Sequence, residues 1–513
     1  MADRTVIPIS RDHNPFAQEG VSVDDFGVPH FDELPASLVA MLRRQVERRP
    51  DTEALVELGG ERLTYRELWD RAARVAGGLR AQGLSPGDRV AVRYRAGNTW
   101  VIAFWGVIFA GGVVVAVNTR STPTETEFVL TDSGTTIDLA DGTPLPDGDP
   151  YLQEGLGLSD TAAFFYTSGT TGSPKGVPTS HEAFLTNTEN VARCFAIPAD
   201  IGEGLRTLIS VPLFHVTGCN SQLLVAAFYG GTAVIMPALD QQLLIESLIA
   251  EKITFMVTVP AIYALLLRNP ALTAIDTSKI GWVAYGGAPI APTLVRELQS
   301  TFPNARVSNG YGMTETASLM TVLPHEDAVA HADSVGYAVP SVTLGLAPLD
   351  DANPSLGELV VRGGNVTREY WRRPQATADT VRDGWLYTGD IVRVDDAGRI
   401  YIVDRSKDII NRGGENVSSI EVEAALLAAP GVLEAAVLAV PDDILGEKVG
   451  AVLYGGDAEV NVEAVIANVA EAIADFKVPQ YVSVIDEPLP RNPGGKIVKG
   501  RIRESIRWGD PLR

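Results

Sequence analysis

Short apolar runs alternate with helical stretches from Ser37 to Leu344, and this rhythm predicts an α/β fold, a large N-terminal domain of mostly parallel sheets flanked by helices. Beyond Leu344 strand-like runs and turns take over, which predicts an appended β-rich subdomain. After the charged cluster Asp404-Arg-Ser-Lys-Asp408 a compact helix and strand pattern predicts a small α+β C-terminal domain. The expected division is 1–406 and 407–513.

Residues 1–36 read as irregular, with scattered Pro, Asp and Gly. From Ser37 to Arg49, Leu38, Met41, Leu42 and Val46 recur at helical spacing. Thr64 and Glu67 form a capping-box pattern ahead of a helix with Leu68, Ala72, Val75, Ala76 and Leu79 on one face. Strands are expected at Val90–Tyr94, Val113–Val117, Leu208–Val211, Thr232–Met236, Phe255–Val259 and Trp282–Tyr285. Trp100 to Val117 is apolar throughout and has the length of a membrane span. Gly111-Gly112 divides it, so it reads as helix, turn and buried strand. Residues 133–157, rich in Gly, Pro and Asp, read as a loop. In the tail, Ser418 with Glu421 offers a second capping box before a helix Val422–Ala428. A strand Ala435–Val440, a helix Val462–Ala474 and a strand Tyr481–Ile485 complete the unit.

A chain of 513 residues with 45% hydrophobic content can bury large cores. A formal net charge of -22 argues against nucleic acid and anionic membrane surfaces as partners. Two cysteines, Cys194 and Cys219, are too few for a disulfide framework and fit a reducing cytoplasm. The N-terminal residues show no signal-peptide pattern.

The stretch Tyr166-Thr-Ser-Gly-Thr-Thr-Gly-Ser-Pro-Lys-Gly-Val177 follows an apolar run that reads as a buried strand. Backbone N–H groups in such a Gly-rich turn, here Gly169 and Gly172, cradle anionic oxygens. Thr167, Ser168, Thr170 and Thr171 add hydroxyls, and Lys175 adds a cation, which suits a polyphosphate. Pro174 before the lysine and Gly176 after it exclude a Walker A loop. Read alone, the stretch is equally a flexible surface loop. Asn309-Gly310-Tyr311-Gly312-Met-Thr314-Glu315-Thr316 offers a flat aromatic, a hydroxyl and a hard carboxylate for Mg²⁺, or simply a Gly-rich turn. Gly286, Gly287 and Ala288 end a strand where backbone can lie against a base or an acyl group, although read alone they are more simply an ordinary strand-end turn. Asp390 in Tyr387-Thr-Gly-Asp390 has the position of a ribose-binding carboxylate or of a turn aspartate. His215 closes Pro212-Leu-Phe-His215, and Lys496 sits in Arg491-Asn-Pro-Gly-Gly-Lys496; read singly, both are ordinary polar residues. Asn411-Arg-Gly413-Gly414-Glu-Asn-Val417 is a Gly-rich turn or an exposed hairpin.

Together these stretches, which taken in chain order run from 166 to 497, resemble the core motifs of the adenylate-forming superfamily: acyl-CoA synthetases, adenylation domains of peptide synthetases and beetle luciferases. The wording of 412–417 and the histidine after Pro212-Leu-Phe look most like acyl- or aryl-CoA synthetases. The resemblance implies ATP and Mg²⁺ as cofactors, a small-molecule carboxylic acid as substrate, and CoA as the acceptor. It implies that Lys496 bridges the attacking carboxylate and the α-phosphate, that Arg405 reaches the ribose, and that His215 positions the acid. It also implies a mobile C-terminal domain that swings about Lys407 and brings Gly413 and Gly414 to the pantetheine passage. A longer structured segment is implied before the phosphate loop than 133–157 provides. Small or apolar positions expected at the acyl pocket are Val216, Gly218, Tyr263, Ala288, Met313 and Ala317. An amine acceptor, carrier-protein loading and a non-catalytic nucleotide-binding protein stand as alternatives. Monomer and homodimer are both compatible with the sequence.

Overall fold

The computed structural model describes residues 5–167, 174–288, 290–349, 353–413, 415–442, 444–456, 460–491 and 497–512. Its architecture is the mixed α/β one expected, a large N-terminal domain followed by a separate small one.

Among the described residues the largest sheet has nine strands. Its parallel core runs Arg306–Tyr311, Trp282–Gly286, Phe255–Thr258, Arg206–Ile209, Thr232–Ile235 and Glu53–Glu57. Antiparallel strands margin it on both sides, Thr321–Leu323 and Tyr337–Ala338 on one and Arg62–Thr64 on the other. A second sheet orders Lys175–Ser180, Thr161–Thr167, Val113–Ala116, Arg89–Arg93 and Thr135–Ala140, antiparallel only at the first pair. Between the two lies the helix Asn98–Phe109, apolar on every side and buried almost throughout. Its twelve residues turn into a buried strand at Gly111-Gly112, as the sequence predicts. No described helix is long and apolar enough to cross a membrane. Ser37 caps Leu38–Arg48, and Thr64 with Glu67 forms the expected reciprocal box on Tyr65–Ala81.

The β-rich subdomain is antiparallel: Val342–Pro348, Leu356–Gly363, Trp385–Val394 and Ile400–Arg405 pair in succession. The C-terminal sheet places Gly446–Tyr454 between Glu434–Asp442 and Tyr481–Ile485, with Ile410–Arg412 and Glu415–Val417 as a hairpin at its end. Helices Ser419–Leu427 and Val462–Ala472 cover it through Val422, Leu426, Val465 and Val469.

Three readings need correction. Residues 133–157 are not all loop, because Thr135–Ala140 forms an edge strand parallel to Arg89–Arg93. Residues 1–36 contain a small hairpin, Val21–Val23 with Pro29–Phe31, and Ile7–Pro8 extends the subdomain sheet beside Val342–Pro348. Ser418 does cap Ser419–Leu427, but the Glu421 carboxylate turns to Lys477 at 2.7 Å, so the box is half made.

Candidate active site

Strands Arg206–Ile209, Phe255–Thr258, Trp282–Gly286 and Arg306–Tyr311 are parallel, so their C-terminal ends share one edge. Open α/β sheets bind ligands at that edge. Past the first strand the chain reaches His215, half-buried at the mouth of the short helix Val216–Gly218. Past the third come Gly286, Gly287 and Ala288, the last two exposed. Past the fourth come Tyr311, Gly312, Thr314 and Glu315. Gly286 and Gly310 are register partners, and a Cβ on Gly286 would stand 2.3 Å from the Gly310 carbonyl oxygen. At Gly312 a Cβ would stand 1.5 Å from the Ser318 carbonyl oxygen. Only glycine fits either place.

Tyr311 projects its hydroxyl onto the Asp390 carboxylate, whose other oxygen accepts from Arg405 Nε at 2.6 Å. Asp390 and Arg405 are register partners on neighbouring strands, which fixes the pair before any ligand arrives. Burial first, and then the Asp390 charge, push the Tyr311 phenol well above its ordinary value, so it stays a donor. Asn309, buried beside them, donates to the Ser334 carbonyl at 3.2 Å.

Glu315 is 6% exposed in the turn Thr314–Thr316 and accepts from the Tyr370 hydroxyl at 2.7 Å. Its backbone carbonyl accepts from Thr367 N at 2.7 Å. Tyr370 belongs to a strap, Thr367–Arg373, that also grips the hairpin of Thr161–Thr167 and Lys175–Ser180. Trp371 N donates to the Gly176 carbonyl at 2.9 Å, and Thr367 Oγ1 to that of Pro178 at 3.3 Å. The hairpin itself is strand to strand: Thr167 pairs with Lys175 and Tyr166 with Gly176. A helix begins only at His181, which separates this device from a strand-loop-helix phosphate site. Lys175 Nζ lies 4.5 Å from the centre of the Tyr370 ring. Ser168, Gly169, Thr170, Thr171 and Gly172 lie outside the described residues.

Behind Glu315 the backbone is strained, with φ of 50° at Ala317 and 126° at Ser318. Buried side chains over-determine this turn. Asn220 donates to the Ala317 carbonyl at 2.8 Å, Ser221 meets the Ser318 hydroxyl at 2.8 Å, and Asn365 donates to the Thr316 carbonyl at 2.7 Å. Asn220 and Ser221 sit in a π-helical segment, Cys219–Leu223, that directly follows the His215 helix. One wide turn thus ties the histidine side of the edge to the glutamate side. Val216, Gly218 and Ala317 are buried here, and Met313 is half-buried. Tyr263 is fully buried under the sheet, its hydroxyl on the Ala284 carbonyl at 2.9 Å, and so packs in the core rather than at the expected pocket.

Lys407 follows the strand Ile400–Arg405, and partial burial is the main cause that lowers its ammonium from the ordinary value. Gly413 turns the hairpin of the C-terminal sheet with φ of 62°; Gly414 lies outside the described residues. So does Lys496, although the base of its loop is described: Arg491 bridges Ile497, and Val498 N donates to the Pro490 carbonyl at 2.7 Å. Asp404 accepts from the Ser419 N–H and, at 3.0 Å, from its hydroxyl, while Ser418 Oγ donates to the Val403 carbonyl at 2.6 Å.

The chain belongs to the AMP-binding enzyme family: the model of the AMP-binding enzyme matches residues 42–371, and that of its C-terminal domain matches 421–496. It is 33% identical over 497 residues to the long-chain-fatty-acid–CoA ligase FadD13 of Mycobacterium tuberculosis (strain ATCC 25618 / H37Rv), covering 90% of this chain and 97% of the relative. It is 35% identical over 496 residues to the feruloyl-CoA synthase of Amycolatopsis sp, again covering 90% and 97%. Among solved structures, o-succinylbenzoate CoA synthetase (MenE) from Bacillus subtilis, in complex with the acyl-adenylate intermediate OSB-AMP, superposes with a TM-score of 0.83 at 28% identity, covering 92% and 99%. ATP-bound MatB from Rhodopseudomonas palustris gives a TM-score of 0.80 at 30% identity, covering 91% and 98%.

Sequence reasoning passed over Tyr370, Asn220, Ser221 and Asn365. Tyr370 carried a signal, an aromatic pair Tyr370-Trp371 set among arginines in a turn-rich stretch before Pro374. The buried amides carried none, since their partners are backbone carbonyls distant in the chain.

Proposed function

We propose that this chain is an AMP-forming acid–CoA ligase: it activates a carboxylic acid with ATP as an acyl adenylate, releases pyrophosphate, and passes the acyl group to the CoA thiol. The observation that carries this reading is the strand-end cluster in which Tyr311, Asp390 and Arg405 stand beside the Lys175–Tyr370–Glu315 chain of contacts. Its two halves match the two ends of ATP. Asp390 and Arg405 suit the ribose, the Tyr311 ring suits the adenine, and the hairpin with Lys175 suits the triphosphate. Asn309, Gly310, Gly312, Gly286, Gly287 and Ala288 bring backbone to the same sheet edge.

A carboxylate attacks a triphosphate poorly because both are anions. Residues that offset the repulsion and fix the approach supply the catalysis. Lys175 and Lys496 bring cations to the phosphates, Thr314 brings a hydroxyl, and His215 orients the acid without needing to act as a base, since a carboxylate is already ionised at neutral pH. Glu315 fits Mg²⁺, because its buried carboxylate keeps one oxygen outside the Tyr370 bond, and this ion is commonly held by one or two carboxylates together with phosphates. When bound, Mg²⁺ neutralises phosphate charge. The domains divide at 406 and 407, Lys407 is the pivot, and rotation about it exchanges the Lys496 loop for the Gly413-Gly414 turn beside the site. Val216, Gly218 and Ala317 favour a hydrophobic acyl or aryl group. The acidic charge and two free, buried cysteines support a cytoplasmic setting.

The test is a panel of carboxylic acids with ATP, crossed with CoA and simple amines and read by mass spectrometry. Acid-dependent pyrophosphate exchange and acyl-CoA are expected. Acyl amide formed in preference to acyl-CoA would replace the thiol acceptor with an amine. Nucleotide binding without any exchange would remove catalysis.

A further inference from the structure

Tyr370 touches both charged ends of the phosphate site. Its hydroxyl donates to Glu315 Oε1 at 2.7 Å, and its ring face lies 4.5 Å from Lys175 Nζ. The side chain has little freedom to do otherwise. Tyr370 is 6% exposed, its backbone N–H donates to Thr377 Oγ1 at 3.0 Å, and its neighbour Trp371 is pinned to the Gly176 carbonyl of the hairpin. A buried phenol can donate one hydrogen bond and accept others, and the carboxylate partner settles the donor role. A phenol keeps its proton at neutral pH, so the hydroxyl is a donor.

We propose that Tyr370 is the positioning residue of the cation site, and that it does two separable things. Through its hydroxyl it holds the Glu315 carboxylate in one orientation, leaving a defined oxygen for a divalent cation. Through its ring it holds the Lys175 ammonium beside the triphosphate position, at a distance where a lysine on this short hairpin would otherwise sample many rotamers. This rests on the reading of Glu315 as the ion-binding carboxylate. Partners that orient a metal-binding carboxylate matter nearly as much as the carboxylate itself.

The two contacts separate cleanly by substitution. Y370F keeps the ring and removes the hydroxyl, whereas Y370L removes both. Two readouts are used on the full-length chain: binding of Mn²⁺ to the ATP complex without acid, followed by electron paramagnetic resonance, and the KM for ATP in acid-dependent pyrophosphate exchange at saturating Mg²⁺. Y370F is expected to weaken Mn²⁺ binding about tenfold, the lower end of the loss seen when such an orienting partner is removed. The thermodynamic cycle carries that loss into the KM for ATP at saturating Mg²⁺, which should rise by the same factor, about tenfold, and no further, because the face that Lys175 rests on survives. Y370L is expected to weaken Mn²⁺ binding equally and to raise the KM for ATP beyond the Y370F value. Far-ultraviolet circular dichroism and the thermal midpoint check that each variant is folded, and Y370M gives a second ringless variant should Y370L unfold. Unchanged Mn²⁺ binding in Y370F would overturn the hydroxyl role, and a KM in the ringless variant equal to that of Y370F would overturn the ring role. E315Q separates this proposal from its premise. If E315Q leaves Mn²⁺ binding intact, the ion lies elsewhere and the premise fails. If E315Q abolishes it while Y370F does not, the premise stands and Tyr370 has no part in it.

Discussion

Gly312 shows how much one absent carbon decides. A methyl there would overlap the Ser318 carbonyl oxygen and force apart the turn that carries Glu315. Gly312→Ala should therefore leave the fold intact and lower acid-dependent pyrophosphate exchange by about 10²-fold, the cost of a misplacement near 1 Å. Exchange within a few-fold of the parent would show that the turn tolerates the shift. Asp390 makes a second case, since Tyr311 and Arg405 both converge on it. Asp390→Ala should raise the KM for ATP by about tenfold or more, as a charge-assisted contact is lost. An unaltered KM would move the ribose away from this carboxylate. Both residues stand out in the sequence through the motifs around them, since alone each reads as an ordinary turn residue. Asn220 and Asn365 do not stand out. An amide that satisfies distant carbonyls looks like any other asparagine until the chain is folded.

The helix His181–Cys194 is the element with the clearest pH signature. Its first residue is buried, and His181 Nδ1 accepts from Leu38 N at 3.2 Å, so the ring must be neutral. Burial pulls its pKa from 6.5 to about 4. The unfolded chain thus binds a proton in this window that the folded chain refuses, and stability falls as pH drops from about 6.5 to about 4. The full contribution, present above the higher value, is at most about 3 kcal/mol. His181→Asn keeps an acceptor for Leu38 and removes the titration. The variant should lose less stability than the parent between pH 7 and pH 4.5, as read by urea midpoints. Parallel losses would assign the acid sensitivity elsewhere. Elements were legible where local pattern and tertiary need agreed, as in the capped helix Tyr65–Ala81 and the split apolar run at Gly111-Gly112. The edge strand Thr135–Ala140 was not, because its short Thr-Thr-Ile-Asp-Leu-Ala run was read together with the Gly, Pro and Asp of 141–150 that follow it, and its strand state comes from pairing with Arg89–Arg93. Glu421 failed as a capping partner for a similar reason, its carboxylate being drawn to Lys477.

On the scale of the whole molecule, the two proposed half-reactions make opposite demands on the same edge of the large sheet. Lys496→Ala should abolish adenylate formation while supplied acyl adenylate is still converted to thioester; unconverted adenylate would give the lysine another role. Lys407→Pro, which fixes φ at the pivot, should spare adenylation and impair thioester formation. Equal loss in both, measured by exchange and by acyl-CoA production, would place the pivot elsewhere. The change of texture after Asp404–Asp408 and the order of the motifs together carried this two-domain reading. What the sequence could not convey is how the halves are fastened. Asp404 precedes the proposed pivot and Ser419 follows it, yet the carboxylate of one caps the helix of the other, and Ser418 repeats the crossing to Val403. These bonds act as a latch. In the proposed swing about Lys407 the seated carboxylate leaves its socket before the smaller lobe travels, so the catch favours discrete seats over drift.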